Sequence, residues 1–279
     1  MTNFQSRLLI GTIYVGATVG MIIWNQLTAW TFLGLIQLAC LFEFYRLTTT
    51  LSSLVKWISL FTGSVVFGMV IANQDSTVNI GALVYMIIPL ILLNLVVLLT
   101  TPQHDFLKNT LAVLAGWIYV SLPFGFLARI GNLIFDPSNT DLLPYYSLQI
   151  LVIFILIWLS DTFAYLAGRA FGKHPLWKSV SPKKTIEGFL GGMVATVAVA
   201  WFLVPNWVEL SAMEAAILAV IVVVTGTLGD LFESQIKRSL GIKDSGTALG
   251  GHGGFLDRFD SILFAAPACY VYLRFLAVM

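Results

Sequence analysis

Nine long apolar segments follow one another along the chain, and they restrict its possible folds more than any other feature. Each one reaches or approaches the roughly 20 mainly apolar residues that a helix needs to cross a bilayer. The segments are 8–24, 27–45, 54–72, 79–100, 110–134, 145–168, 188–204, 214–232 and 261–278. Hydrophobic residues make up 58% of the sequence and charged residues 10%, which is far from the average of soluble proteins. We therefore predict an all-α, polytopic integral membrane protein with about nine transmembrane helices.

The basic residues divide unequally between the two sides of these segments. Thirteen of the fifteen Lys and Arg residues fall on one side, and only Arg129 and Arg274 fall on the other. By the positive-inside rule, the side rich in Lys and Arg is cytoplasmic. We expect the N-terminus and the charged loops in the cytoplasm and the C-terminus outside. The first apolar segment has no clear signal-peptidase site, so we expect it to be retained.

The chemistry is concentrated in the second half of the chain. We predict an N-terminal region of about five spans, 1–134, and a C-terminal catalytic region of about four spans, 135–279. In the first region, Glu43 closes the second span beside other polar residues, and we expect it to be an interfacial anchor. The two cysteines, Cys40 and Cys269, fall within spans and are expected to be small buried residues.

One polar stretch, Ser234–Ser261, stands out from the apolar background. It contains four of the fifteen Lys and Arg residues, one of the three His residues and three Asp residues, and Asp230 and Glu233 lie just before it. Charge at this density beside a membrane span is costly unless it faces water, a metal or a charged ligand. We therefore predict the active site here, facing the cytoplasm between the eighth and ninth spans, in a loop placed at 233–260.

The spacing of the charged residues in this stretch predicts shared helix faces. Residues three and four apart lie on one face of a helix. One such set is Asp230, Glu233, Ser234, Lys237 and Arg238, and another is Asp257 with Asp260. Carboxylate oxygens of this kind suit Mg²⁺ rather than zinc. The glycines between the two sets allow the backbone to approach a ligand closely; they are Gly241, Gly246, Gly250, Gly251, Gly253 and Gly254.

A second polar motif, SPKKTIEG, lies at Ser181–Gly188 in a predicted cytoplasmic loop at 169–188. Its lysines could simply meet lipid headgroups. The hydroxyl groups beside them and the helix that follows favour phosphate binding instead, because backbone N–H groups at a helix N-terminus suit an anion. Upstream, Asp161 lies about two turns inside the sixth span, where an acid costs at least ~2.5 kcal/mol on insertion scales. Asp161 is therefore either paired inside the bundle or functional, and we favour a functional role.

Together these features predict a site for a metal-bound polyphosphate, in which the metal and the basic groups neutralise charge on the transferred group. A site at the ends of membrane spans is also open to a lipid headgroup. One alternative is a structural loop of mutually compensating salt bridges, but such surface pairs contribute only ~0 to 1 kcal/mol each. Another is an ion-coupled transporter, which usually places its acids near the midplane and within repeats. Here the acids cluster at one face, so neither alternative is favoured.

The polar stretch resembles the signature of phosphatidate cytidylyltransferases, also called CDP-diacylglycerol synthases. The matching residues are Ser234, Lys237, Arg238, Lys243, Asp244, Gly246, His252, Gly253, Gly254, Asp257, Arg258 and Asp260. The SPKKTIEG motif and the segment around Asp161 are also similar to motifs of that family. One departure is Gly250, where many members have proline.

The resemblance implies a Mg²⁺-dependent reaction of CTP with phosphatidic acid that gives CDP-diacylglycerol and pyrophosphate in phospholipid biosynthesis. It also implies a homodimer in the bacterial cytoplasmic membrane, a possible second, monovalent cation, and no nucleic-acid partner. A CTP-dependent lipid kinase of the polyprenol type is the alternative, because it would use the same metal and nucleotide groups.

The resemblance also implies roles for individual residues. The metal ligands would be Asp230 and Asp257, with Asp260 and Glu233 as further ligands or supporting residues. Asp161 would be an acid of the site. The triphosphate would be held by Lys237, Arg238 and Lys243. The nucleotide or the lipid phosphate would be held by Ser181, Lys183, Lys184 and Thr185. His252, Gly253 and Gly254 would shape the loop over the phosphates, and Glu187, Ser234 and Arg258 would also contact substrate.

Overall fold

A computed structural model describes residues 3–72, 80–100, 102–131, 133, 145–246 and 253–278. Within these ranges the chain forms ten α-helices and one small antiparallel hairpin, which confirms the predicted all-α class. The helices are α1 (Asn3–Trp24), α2 (Gln26–Thr48), α3 (Ser53–Ala72), α4 (Ile80–Leu98), α5 (Gln103–Gly116), α6 (Leu122–Ile130), α7 (Tyr145–Phe171), α8 (Ile186–Leu203), α9 (Ala212–Ser239) and α10 (Leu256–Leu276). The hairpin consists of β1 (Pro175–Trp177) and β2 (Ser181–Thr185).

Seven helical stretches in the described residues are long and apolar enough to cross a membrane. They are Gln26–Thr48, Ser53–Ala72, Gln103–Ile130, Ser147–Phe171, Ile186–Asn206, Ala212–Ser239 and Leu256–Leu276, and each coincides with a predicted span. The first and fourth predicted spans coincide with α1 and α4, whose described apolar stretches are shorter. The polytopic membrane architecture is therefore confirmed, and the exact count of nine stays a prediction.

The fifth span is one helical rod with a π-helical turn at its centre. Between α5 and α6, Trp117–Ser121 forms this turn, and the N–H of Leu122 bonds the carbonyl of Trp117. Pro123 follows immediately and has no N–H with which to continue an ordinary α-helical ladder. The wider π-helical turn lets the helix continue past Pro123, which would otherwise interrupt its hydrogen bonds.

The predicted division at residue 134 does not correspond to separate packing of the two halves. The ring of Phe259 in α10 packs against Phe124 of α6, with 5.7 Å between centroids, and against Tyr14 of α1, with 5.6 Å. Cys40 and Cys269 are both fully buried, as predicted. The two regions therefore share one core, and their separation into functional units stays a prediction.

Small residues bring α7 and α8 into close contact, as is common between membrane helices. A Cβ atom added at Gly188 would lie 2.8 Å from the carbonyl oxygen of Ala164, and one at Gly192 would lie 3.0 Å from that of Ser160. Because these glycines have no side chain, α8 packs directly against the segment of α7 that carries Asp161. The start of α8, and the hairpin joined to it, are thereby held next to that acid.

Glycine also sets the distance between α9 and α10. A Cβ at Gly229 would lie 2.5 Å from the carbonyl oxygen of Asp260, whereas one at Gly226 would lie 3.6 Å from the Cβ of Ser261. The two helices therefore approach more closely at Gly229, next to Asp230, than at Gly226. This contact places Asp230 of α9 beside Asp260 of α10.

The two polar loops are shorter than the sequence indicated. The first runs over 172–185 and not 169–188, and it contains the unpredicted hairpin. Before the second loop, α9 continues past its apolar part to Ser239, and α10 begins at Leu256, so fewer residues separate these two helices than the predicted 233–260. Gly241 (φ +69°) ends α9: its N–H bonds the carbonyl of Arg238, and the next N–H bonds that of Lys237. Gly241 thus ends the helix in the left-handed conformation, which an L-residue adopts only with strain.

Candidate active site

Two cavities meet at Asp161 between the ends of α7, α8, α9 and α10. The basic cavity, of about 520 Å³, is lined by Asp161, Arg169, Ser181, Lys183, Lys184 and Thr185 among others. The acidic cavity, of about 300 Å³, is lined by Asp161, Asp230, Asp257, Arg258 and Asp260, with aromatic residues of α1 and α7. The structure thus brings the two predicted polar motifs together, although Lys184 and Asp230, which meet between them, are 46 residues apart in sequence.

An ion pair between Lys184 and Asp230 connects the two cavities. The ammonium of Lys184, on β2, contacts the Oδ2 of Asp230, on α9. Ser234, one turn further along α9, donates a hydrogen bond to the Oδ1 of Asp230 at 3.3 Å. Both carboxylate oxygens of Asp230 are thereby engaged at the junction of the basic and acidic cavities.

The start of α8 is arranged as the sequence predicted. Thr185 is its N-cap, and the Thr185 hydroxyl accepts a hydrogen bond from the N–H of Gly188 at 3.1 Å. Because the first N–H groups of a helix lack partners within the helix, this end suits an anion in the basic cavity. Lys183 is exposed and lines the same cavity.

Glu187 does not line the basic cavity, and it stabilises the segment just before the hairpin. Its Oε2 accepts hydrogen bonds from the backbone N–H groups of Lys173 at 3.0 Å and His174 at 3.2 Å. Its Oε1 lies 2.5 Å from the Nδ1 of His174. Both carboxylate oxygens of Glu187 therefore bind groups of the protein itself. Contact of Glu187 with a substrate, which the family resemblance implies, stays a prediction.

Asp257 is the most completely hydrogen-bonded acid of the site. Its Oδ2 accepts from the backbone N–H and the hydroxyl of Ser245, at 2.8 and 2.9 Å, and from the N–H of Gly254 at 2.8 Å. Its Oδ1 accepts from the ammonium of Lys237 at 2.6 Å. The carboxylate is therefore fixed in one orientation at the start of α10.

Lys237 lies between two carboxylates of the protein. It pairs with Glu233 one turn earlier on α9 as well as with Asp257, and its side chain is 12% exposed. Glu233 is fully buried and lines neither cavity. The ammonium of Lys237 is thus already paired with two acids of the protein, and its contact with the triphosphate stays a prediction. A paired ammonium compensates two acids that would otherwise be buried without a counter-charge.

The other predicted basic residues lie at the surface. Arg238 is exposed and donates to the backbone carbonyls of Val180 and Ile242, each at 3.4 Å. Lys243 and Arg258 are exposed, and Arg258 lines the acidic cavity. His252, Gly250 and Gly251 lie outside the described residues.

Glu43 contacts residues next to Asp257, which the sequence interpretation missed. It was expected to anchor α2 at the interface, but it is 5% exposed and its Oε2 accepts hydrogen bonds from the N–H of Leu256 at 2.9 Å and the hydroxyl of Ser245 at 3.1 Å. An acid within an apolar segment was the available signal, as it was for Asp161. Because Arg46 follows closely, the acid was taken for a surface charge.

The described glycines of the second loop serve contacts within the protein. A Cβ at Gly246 would lie 2.6 Å from the Oε1 of Glu43, and one at Gly254 would collide with the same carboxylate. Gly253 has a φ of +79°, and a Cβ there would lie 2.5 Å from the Oδ2 of Asp257. These glycines therefore make room for Glu43 and Asp257, and the close approach of a ligand to their backbone stays a prediction.

The acidic cavity fits a hard divalent cation by its donor chemistry. Four carboxylates line it, and oxygen ligands are those that Mg²⁺ prefers. In the part of the chain that the structure describes, no three acidic, His or Cys side chains converge on one point. Lys184 and Lys237 instead contact Asp230 and Asp257. A cation bound at Asp230 would take over the role that the ammonium of Lys184 has there.

The chain is similar in sequence to known cytidylyltransferases. The chain matches the model of the cytidylyltransferase family over residues 5–276. It is 44% identical over 148 residues to the phosphatidate cytidylyltransferase of Staphylococcus haemolyticus, which is 52% of this chain and 54% of the relative. It is 43% identical over 146 residues to that of Staphylococcus aureus, with the same coverage. The chain spans about half the length of the curated relatives it matches.

Proposed function

The chain belongs to the cytidylyltransferase family, and we propose that it transfers the cytidylyl group of CTP to phosphatidate, giving CDP-diacylglycerol and pyrophosphate. The observation that carries the proposal is the junction of the basic and acidic cavities at Asp161 and at the Lys184–Asp230 pair. Such a junction suits a reaction in which two phosphate-bearing substrates meet. The names of the relatives support phosphatidate as the acceptor.

The proposed reaction is a single in-line displacement. A phosphate oxygen of phosphatidate attacks the α-phosphorus of CTP, the bond between the α-phosphorus and the bridging oxygen breaks, and pyrophosphate leaves. A phosphate monoester is largely ionised at neutral pH, so the chain needs neither a protein nucleophile nor a strong general base. Catalysis then depends on positioning and on neutralising charge in the transition state.

The basic cavity supplies groups that bind and orient phosphate. Lys183 supplies a positive charge beside the hydroxyls of Ser181 and Thr185 and the N-terminus of α8. Lys184 is paired with Asp230 and is close enough to the same cavity to exchange that partner for a substrate phosphate. We assign Arg238 and Lys243, both exposed, to the polyphosphate as it enters from the cytoplasm.

The acidic cavity supplies the carboxylates. Asp230 and Asp257 would hold Mg²⁺ with Asp260, and Asp161 completes the acidic lining. A divalent cation bound here would neutralise charge on the polyphosphate. Lys237 and the N–H groups of Ser245 and Gly254 fix the orientation of Asp257. Glu233 compensates the charge of Lys237 and has a supporting role in this assignment.

We place the site on the cytoplasmic side of a bacterial membrane, with the C-terminus outside, because thirteen of the fifteen basic residues fall on the side of the charged loops. A homodimer and a second, monovalent cation are further proposals that follow from the family. A cysteine accessibility scan of single-cysteine variants in intact cells tests the orientation. A Lys243→Cys variant labelled from outside the cell would contradict it.

The function is tested with purified protein in detergent, phosphatidate, Mg²⁺ and CTP labelled at the α-phosphorus. We expect label in the lipid and an equal amount of pyrophosphate in the water. Release of CDP with phosphorylation of an added polyprenol would instead identify a lipid kinase. No transfer with any divalent cation would refute both enzymatic functions.

Substitution of the metal-binding acids tests the assignment of roles. Asp230→Asn and Asp257→Asn are each expected to lower turnover on the order of 10²-fold or more, given the size of single electrostatic contributions. Both variants keep the shape of the side chain, so the protein is expected to purify normally. Near-normal turnover in either variant would contradict its role at the metal.

A further inference from the structure

We propose that Glu43 is a positioning residue, which fixes the second cytoplasmic loop and Asp257 from the opposite half of the chain. The inference rests on the proposed function, because it assigns to Glu43 a part in assembling the acidic cavity. It starts from an unusual location: Glu43 is 5% exposed within a membrane-spanning helix. A buried acid at such a position is costly unless its partners compensate it.

The contacts of Glu43 are directed to both ends of the loop. Its Oε2 accepts from the hydroxyl of Ser245, at the end where the loop leaves α9, and from the N–H of Leu256, the first residue of α10. A negative charge at the N-terminus of a helix is favourable because of the helix dipole. One carboxylate therefore joins α2, the start of the loop and the start of α10.

Glycines make this contact possible at both ends. A side chain at Gly246 would lie 2.6 Å from the Oε1 of Glu43, and a side chain at Gly254 would collide with the same group. The loop is thus shaped around the carboxylate, and both glycines are themselves buried.

Ser245 connects Glu43 to Asp257. Its hydroxyl oxygen lies 3.1 Å from the Oε2 of Glu43 and 2.9 Å from the Oδ2 of Asp257. Because a hydroxyl carries one hydrogen, it donates to one of these carboxylates at a time. The position of Asp257 in the acidic cavity therefore depends on Glu43 through Ser245 and through the backbone of α10.

Hydrogen–deuterium exchange of the substrate-free protein tests the positioning directly. In Glu43→Ala we expect amide exchange in peptides covering 241–246 and 253–258 to accelerate on the order of tenfold, because a buried hydrogen bond to a charged acceptor is lost. Glu43→Gln should stay close to the wild type, since its amide oxygen can still accept from Leu256. The matched control is Gln37→Ala, which removes an equally buried polar group of α2 that donates to Ser121.

Turnover tests whether the positioning matters for the reaction. Glu43→Ala is expected to lose on the order of tenfold or more in kcat, and Glu43→Gln is expected to restore most of it. Ser245→Ala should also lower kcat, and the double variant Glu43→Ala with Ser245→Ala should lose less than the product of the two losses, because both act on Asp257.

Three results would overturn the inference. These are unchanged exchange in both peptides of Glu43→Ala, equal acceleration in the Gln37→Ala control, and full turnover in Glu43→Ala despite faster exchange. If the wild-type protein transfers no cytidylyl group, the proposed function fails on its own. The exchange measurement then still decides whether Glu43 holds the loop.

Discussion

Replacing Gly229 by alanine is expected to abolish most of the turnover, because the backbone of α10 lies directly against this glycine of α9. The added methyl group would lie 2.5 Å from the carbonyl oxygen of Asp260 and 3.3 Å from the Cα of Ser261. Ordinary van der Waals contact begins at 3.4 Å, so the helices must separate by the difference, about 0.9 Å. A carbonyl of a packed helix cannot turn aside as a flexible side chain can.

This separation acts directly on the acidic cavity, since Asp230 follows Gly229 and Asp260 carries the contacted carbonyl. A displacement of about 1 Å in an active site costs on the order of 10²-fold in rate. Overpacking destabilises by ~1–3 kcal/mol, and the replacement of a helical glycine by alanine offsets ~0.5–1 kcal/mol of this. We therefore expect a folded protein, at most about 2.5 kcal/mol less stable, with roughly 1% of the wild-type turnover.

Gly226→Ala is the matched control, because Gly226 lies one turn earlier on the same face of α9. A Cβ there would lie 3.6 Å from the Cβ of Ser261, which is ordinary contact. This variant is expected to keep its turnover and to gain up to ~1 kcal/mol in stability. Both variants are compared by initial rates of label transfer into lipid and by thermal unfolding in the same detergent. If Gly229→Ala turns over within threefold of Gly226→Ala, the spacing of α9 and α10 does not control the site.

Two further pairs of variants test the supporting contacts. Gly253→Ala and Gly241→Ala both place alanine at a positive φ, so each should cost roughly 1–2 kcal/mol of stability. Only Gly253→Ala should lose turnover, because its Cβ would meet Asp257. Equal turnover of the two variants would contradict this. Lys237→Met should destabilise the protein by ~3–5 kcal/mol, because it leaves buried carboxylates unpaired. Adding Glu233→Gln to this variant should restore part of that stability in the same unfolding assay. No recovery would show that Glu233 needs no counter-charge.

The parts of this molecule that follow local rules were predictable from its sequence. Apolar length alone located the membrane helices, and the three- and four-residue spacing placed Asp230, Glu233 and Lys237 on one face of α9, where the structure has them. The helix start after the SPKK sequence was also found, because hydroxyl residues at an N-cap act over only three residues.

The rest depended on contacts that a single sequence does not display. The hairpin has strands of three and five residues, too short for an alternating pattern to indicate a sheet. The pairing of Lys237 was not predicted, because this lysine lies beyond the apolar part of α9 and only the return of α10 beside it supplies Asp257 as a partner. Glu43 was misjudged for the same reason, since its partners lie 202 and 213 residues away.

That distance along the chain sets an order for the protein's synthesis. Glu43 enters the membrane with α2, but the N–H of Leu256 that it binds is made 213 residues later. At about 5–20 residues per second, the carboxylate waits about 10–40 s for this partner. The contact between α2 and the start of α10 therefore forms only after Leu256 has been made. A nascent chain stopped before α10 has its basic hairpin but lacks half of the acids of its acidic cavity, because Asp257 and Asp260 lie on α10.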